Sequence, residues 1–182
     1  MSRKLENGNR EEKKIYFISG VCGVGKSSIM PHLRKILGDT FEVRDFDERG
    51  VPDGADHSWR MSEVKKWLEV GEDLLRENKT LVVCGFVKKK DFEGDNLPVE
   101  IIVLDADAET IRKRLMNRYS KDGIFDETIK VIGKPVNEFI ESNVYYCKIM
   151  REECTKDGCK IIDTFHLSPE QVAGEVALVM KK

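Results

Sequence analysis

Long apolar runs are missing from this sequence. No stretch approaches the roughly 20 consecutive apolar residues that cross a bilayer, and Met1 to Lys14 are polar and charged, without the apolar core of a secretory leader. Net charge is nearly missing too: 31 basic and 33 acidic side chains leave a formal charge of −2. That balance gives no overall field to steer the chain to nucleic acid or to a membrane, so neither is expected as a partner. The cysteines Cys22, Cys84, Cys147, Cys154 and Cys159 show neither a disulfide framework nor the paired spacing of a zinc site. Scattered thiols of odd number suit a reducing compartment, and the expectation is a cytoplasmic protein. Internal repeats, low-complexity tracts and signs of a second domain are absent as well.

What is present suits one globular unit. The 182 residues are 40% hydrophobic and 35% charged, enough to bury a core in a single domain. Residues 1–14 read as a flexible tail and 15–182 as the domain. Ile15-Tyr16-Phe17-Ile18-Ser19 is a short β-branched and aromatic run ending at Gly20, the pattern of a buried strand. From Lys26 the apolar spacing turns helical through Ile29, Leu33, Ile36 and Leu37, with Gly38 as the stop. Further strands are expected over 41–45, 81–84, 99–104 and 160–163. Helices are expected after Ser58 or Ser62, over 108–119, from Val136 to about Cys154, and after the cap Ser168-Pro169-Glu170-Gln171. Residues 47–57, 88–98 and 120–135 read as loop. Short apolar strands alternating with helices predict a parallel sheet covered on both faces.

One motif carries chemistry directly. Gly20-Val21-Cys22-Gly23-Val24-Gly25-Lys26-Ser27 matches the phosphate-loop pattern of a glycine, four residues and Gly-Lys-Ser, and it lies between a strand and a helix. Its glycines let the backbone turn tightly and aim amides at phosphate oxygens, the span Gly23 to Ser28 being the expected cradle. The helix N-terminus adds partial positive charge. Lys26 is placed to bridge the outer phosphates, and the Ser27 hydroxyl to hold magnesium. A GTPase would carry Asn-Lys-x-Asp, and Asn78-Lys79-Thr80-Leu81 lacks the Asp. Large motor ATPases need modules for which there is no room. Two classes survive: a small ATP-dependent kinase with Mg²⁺, and a nucleotide-binding regulatory protein with slow hydrolysis.

Beyond the loop, four features carry a resemblance over about residues 15–181: Asp45-Phe46-Asp47 after the second strand; Gly85 after the third; Leu104-Asp105-Ala106-Asp107 running into Arg112, Arg114 and Arg118; and Ile161-Ile162-Asp163-Thr164 before Ser168-Pro169. The chain resembles the small phosphate-loop kinases of the shikimate kinase and nucleoside-monophosphate kinase type. The resemblance implies a three-layer α/β/α sandwich, a P-loop NTPase fold with a five-stranded parallel sheet in the order 2-3-1-4-5. It implies transfer of the γ-phosphoryl group of ATP to a small metabolite. Asp45 would hold magnesium through water, and Asp47 would orient or deprotonate the acceptor, with Asp53 and Asp56 as rivals in the same loop. Arg118 and Arg114, and less directly Arg112, would reach phosphates under a lid around 118–135, and the purine would rest near Arg114 and the segment Thr164 to Pro169. Arg60 and Gly85 would border the acceptor. Trp59 and Phe86 either stack on a planar substrate or belong to the core. Shikimate kinases carry three glycines where this chain has Gly85 alone, so the acceptor stays open.

Overall fold

The computed structural model describes residues 13–120 and 133–181. Most of the tail expected over 1–14, and residues 121–132 of the expected lid, lie outside the described residues. The chain alternates strand and helix: β1 (Ile15–Ser19), α1 (Lys26–Leu37), β2 (Phe41–Asp45), α2 (His57–Arg76), β3 (Thr80–Cys84), β4 (Val99–Asp105), α3 (Ala108–Tyr119), α4 (Val136–Asp157), β5 (Lys160–Asp163) and α5 (Pro169–Met180). The strands form one parallel sheet in the order β2-β3-β1-β4-β5, the order the resemblance implied.

Burial explains the strand sequences. β1 and β3 lie inside the sheet and every residue of each is buried, so they read as continuous apolar runs. The edge strands β2 and β5 are partly open and carry charged residues. Alternation then sends neighbouring β1 side chains to opposite layers. Ile15 packs against Gly71 of α2, while the Tyr16 hydroxyl donates to the Met180 carbonyl at the end of α5 (3.1 Å). Helices therefore cover both faces. The parallel connections bring the C-terminal ends of the strands, and the turns after them, to one rim.

Two local expectations are corrected. The cap of α2 is Asp56, whose carboxylate accepts the Trp59 amide at 2.9 Å, and not Ser58 or Ser62. The helix begins at His57, so both serines already lie inside it. Within the connector 88–98, residues Lys89–Phe92 form a 3-10 turn. It is held by the buried Asp91, whose carboxylate accepts the Lys88 amide at 2.8 Å, and it places Phe92 against Phe17 of β1 with ring centroids 4.7 Å apart.

Gly85 is explained by packing. A Cβ built there would collide with the Cβ and ring of Phe46, and Phe46 is buried with its amide bonded to the Cys84 carbonyl (3.0 Å) and its carbonyl accepting the Trp67 indole N–H (3.2 Å). With the neighbour's backbone pinned on both sides, nothing yields cheaply. Gly85→Ala is expected to lower stability by about 1–3 kcal/mol in urea denaturation, the usual cost of overpacking. A loss below about 0.5 kcal/mol, the range of neutral surface changes, would show that Phe46 is not fixed.

Candidate active site

The loop from Gly20 to Ser27 crosses the rim between β1 and α1. Gly20 has φ +143°, and a Cβ there would meet the Leu104 carbonyl oxygen at 2.6 Å and Val24 Cγ2 at 2.7 Å, so only glycine lets the chain leave β1 this close to β4. Gly25 caps α1 in the left-handed region (φ 104°, ψ 14°). The Ser28 and Ile29 amides both reach back to its carbonyl (3.0 and 3.2 Å). The first turn of α1 carries no acidic residue, which leaves its positive dipole end uncompensated and directed to the loop. Lys26 spans the loop from beneath, its Nζ donating to the carbonyls of Gly20 (2.5 Å) and Val21 (2.9 Å). Burial lowers its pKa, opposed by Cys22, Cys84, Asp47 and Asp45.

Two side chains distant in sequence fix the loop. The Cys22 amide donates to the Asn143 side-chain carbonyl on α4 at 2.9 Å, so this N–H is turned to α4. Arg114 of α3 grips the other side: Nη1 donates to the carbonyls of Gly23 (3.2 Å) and Val24 (3.4 Å) and to Thr164 Oγ1 (3.0 Å), and Nη2 to the Thr164 carbonyl (3.0 Å). A cleft of about 440 Å³ opens beside it, lined by Gly23, Gly25, Ser28, Arg114, Arg118, Thr164 and Pro169 among others. That is the size of an ordinary small-ligand site. The cleft brings together residues expected at the phosphates and residues expected at the purine. Arg112 does not join them. It forms a two-pronged pair with Glu141 of α4 at 2.7 and 2.8 Å, exposed on the helix seam.

The second cluster lies past β2. Asp45 Oδ1 accepts the Asp47 amide at 2.9 Å, and Phe46 between them is buried against Trp59 in an edge-on contact of 6.3 Å. Phe46 is buried in the core, while Asp45 is half-buried and Asp47 exposed. Both carboxylates lie close enough to Lys26 to act on its charge. Asp47 is exposed at the rim, like Asp53, and partial desolvation together with Asp45 raises its carboxyl above its ordinary value, against the pull of Arg60 and Lys26. Arg60 Nη1 donates to the Phe86 carbonyl at 2.8 Å, and its guanidinium lies 5.6 and 5.3 Å from the rings of Phe46 and Phe86. Trp59 and Phe86 are half-buried against the core. Of the rival acids, Asp56 is engaged as the α2 cap and Asp53 is exposed in its loop.

Sequence reasoning did not single out Asn143, Asn117 or Glu63. Asn143 occupies a place in the buried stripe Ile140, Asn143, Cys147, Met150 of α4, and a polar residue in an apolar stripe was the available signal. Asn117 lines the cleft one turn from Arg114. Glu63 is buried in α2 and pairs with Lys66 (2.5 Å) and Arg49 (3.3 Å). These hydrogen bonds, Lys66 foremost, hold its carboxyl below the usual range, and Arg49 stacks on Trp67 at 3.8 Å.

Among solved structures, the chain is similar to a sugar kinase from Janibacter sp. (19% identity, 93% of this chain and 95% of that one, TM-score 0.60). It is similar to a thymidylate kinase from Candida albicans (14%, 93% and 91%, TM-score 0.57). It is also similar to a shikimate kinase from Acinetobacter baumannii in complex with shikimate (16%, 94% of each chain, TM-score 0.56). No family model matches the chain, and no curated protein matches it in sequence. At these identities the likeness shows the fold, which is that of the small phosphate-loop kinases. No helix among the described residues is long and apolar enough to cross a membrane.

Arg114→Lys keeps the charge and loses the planar fork that serves four acceptors. It is expected to weaken ATP binding by about 1–3 kcal/mol, the cost of leaving buried acceptors unmet, as read by calorimetric titration with a non-hydrolysable analogue. Unchanged affinity would show that the grip on Gly23 and Val24 does not shape the loop.

Proposed function

We propose that the protein is a small-molecule kinase that moves the γ-phosphoryl group of ATP to a hydroxyl of a small metabolite. The observation that carries this reading is the position of Asp47. Its amide is fixed by Asp45 at 2.9 Å just past β2, and its carboxylate lies close enough to the phosphate-loop lysine to act on its charge, within the influence of Arg60, which the Phe86 carbonyl holds. A protein that only bound nucleotide would need the loop but not this second cluster.

The residues divide the work by their chemistry. The amides from Gly23 to Ser28 and the end of α1 receive the phosphates. Lys26, whose ammonium can swing from the loop carbonyls to phosphate oxygens, neutralises charge on the outer phosphates, and Arg118 on the cleft wall adds a second cation as charge shifts to the leaving oxygen. The purine rests between Arg114 and the turn from Thr164 to Pro169. Asp47 accepts the proton of the acceptor hydroxyl while its oxygen bonds to the γ-phosphorus and the bond to the β-phosphate oxygen breaks, releasing ADP. Arg60 holds the acceptor, through an anionic group if it has one.

Magnesium fits the donor set. The Ser27 hydroxyl and the Asp45 carboxylate are hard oxygen donors on the same rim. No group of three or more His, Cys, Asp or Glu among the described residues forms a cage of its own, as suits a cation held chiefly by phosphates and water. Bound there, magnesium would supply charge neutralisation across the phosphates.

Two outcomes test this reading. Lys26→Ala should abolish tight triphosphate binding while the fold is kept, and unchanged affinity in a calorimetric titration would remove the loop from the account. Asp47→Asn should lower acceptor-dependent ADP release by about 10²–10⁴-fold, the usual weight of a general base, with ATP affinity near that of the unchanged chain. A base acts when deprotonated, so activity should fall as pH drops through a limb above the ordinary carboxylate range, and the Asn variant should lack that limb. The sign for stability is opposite. A carboxyl whose pKa is raised by folding favours the fold when protonated and opposes it when ionised, so Asp47→Asn should be no less stable at neutral pH. Full turnover in Asp47→Asn would move the proton acceptor elsewhere.

A further inference from the structure

Away from the phosphate site, a second cavity of about 260 Å³ lies between the 3-10 turn at Lys89–Phe92, the β4 residues Ile101 and Val103, and the last turns of α4. Two cysteines line it, Cys154 and Cys159. They stand at the two ends of the motif that stops α4. Gly158 takes the left-handed conformation (φ 70°, ψ 20°). The Gly158 amide donates to the Thr155 carbonyl at 3.4 Å, and the Cys159 amide to the Cys154 carbonyl at 3.0 Å. This pair of bonds defines a Schellman ending, in which the side chain just past the turn packs on the one a full turn inside the helix. Apolar residues commonly fill those two places. Here both are cysteine, so the turn sets the Cys159 side chain against Cys154, whose Sγ also lies 4.0 Å from the Lys160 carbonyl. Cys159 is half-exposed and Cys154 is buried.

We propose that Cys154 and Cys159 form a reactive dithiol that closes to a disulfide inside the native fold by exchange with a small disulfide entering the cavity. The Cys159 thiolate attacks one sulfur of the small disulfide. That S–S bond breaks, one small thiol leaves, and Cys159 is left in a mixed disulfide. Cys154 then gives up its proton and attacks the Cys159 sulfur, expelling the second small thiol. Two protein thiols lose two electrons and two protons, and one small disulfide is reduced to two thiols. The order of attack follows from exposure. Cys154 sits beneath Cys159, and burial, with Cys159 beside it, pushes its thiol up to about 12.

The surroundings favour closure here over the other thiols. Cys84 in β3 and Cys147 on α4, the latter bonded to Asp105 at 3.0 Å, are both buried, whereas Cys159 is half-exposed and meets a small disulfide first. Cys22 lies in the phosphate loop, its amide held by Asn143, about three turns along α4 from Cys154. The rim at the dithiol is tied in place: Lys88 pairs with Glu153 at 2.8 Å, and Lys89 donates to the Asp157 carbonyl at 3.1 Å. Closing the bond therefore joins two residues that the backbone bond from the Cys159 amide to the Cys154 carbonyl already holds together at a fixed helix end.

The test uses the full folded chain, reduced, desalted and then exposed to oxidised glutathione. Unreacted thiols are blocked, and the protein is digested with trypsin without reductant. Cleavage after Lys156 falls between the two cysteines, so the disulfide links peptide 152–156 to peptide 157–160, and reduction separates them. The expected result is that the linked pair accounts for most of the chain, and that Cys154→Ser instead accumulates one glutathione on Cys159. Three results would overturn the proposal: lasting glutathione on Cys159 of the unchanged chain, both thiols recovered free, or linkage only after unfolding in urea.

Discussion

The hydrogen bonds of Arg114 close a ring around the phosphate loop, and the site depends on that ring. Arg114 holds the carbonyls of Gly23 and Val24 and passes to Thr164. Thr164 hangs from the Asp105 carbonyl by both its amide (2.8 Å) and its hydroxyl (3.0 Å). The Asp105 carboxylate is held in turn by Arg151 Nε (2.5 Å) and Cys147 Sγ (3.0 Å), both on α4. From α4, Asn143 returns to the Cys22 amide at the start of the loop. Three elements, α3, β4 and α4, and the turn at Thr164 contribute, and the buried links use donors and acceptors that would cost free energy if left bare. No buried side-chain nitrogen or oxygen among the described residues lacks a partner, so the network is complete where it is buried.

A loop held this firmly can present its amides without reorganising. Preorganised dipoles are what phosphoryl transfer asks of a protein, since little covalent chemistry is left to it. Lys26 is the movable part of the arrangement. Its two acceptors are loop carbonyls, and Asp47 and Asp45 past β2 support its charge. Opposite charges set close together on one rim lower each other's cost. Desolvation and Asp45 raise the Asp47 carboxyl above its ordinary value, the direction that the proposed role as proton acceptor requires.

Much of this was legible in the sequence wherever a local pattern decides the outcome. The buried runs of β1 and β3 need no tertiary information, because short β-branched apolar runs stopped by Gly20 and Gly85 suit strands covered on both faces. The loop from Gly20 to Ser27 is likewise local, since glycine, lysine and serine at that spacing answer a single geometric demand. What escaped are contacts between residues far apart in the chain. Nothing near Asn143 in sequence announces that it meets Cys22, and Arg112 and Arg114, two residues apart, part company only because α4 offers Glu141 to one and the loop offers carbonyls to the other. The cap of α2 was misread for a local reason: Asp56 and Ser58 are both good caps, and which one wins is decided by where the chain turns. Gly85, expected beside the acceptor, leaves room that Phe46 fills.

The central claim is that the nucleotide's terminal phosphoryl group is handed to an organic acceptor. It is tested most directly by following γ-labelled ATP with magnesium and a panel of nucleosides, nucleotides, sugars and hydroxy acids, and separating the products. The account predicts label in a phosphorylated acceptor at a rate well above the release of inorganic phosphate. Label appearing only as inorganic phosphate, whatever acceptor is supplied, would contradict it and leave a nucleotide-hydrolysing switch as the function of this fold.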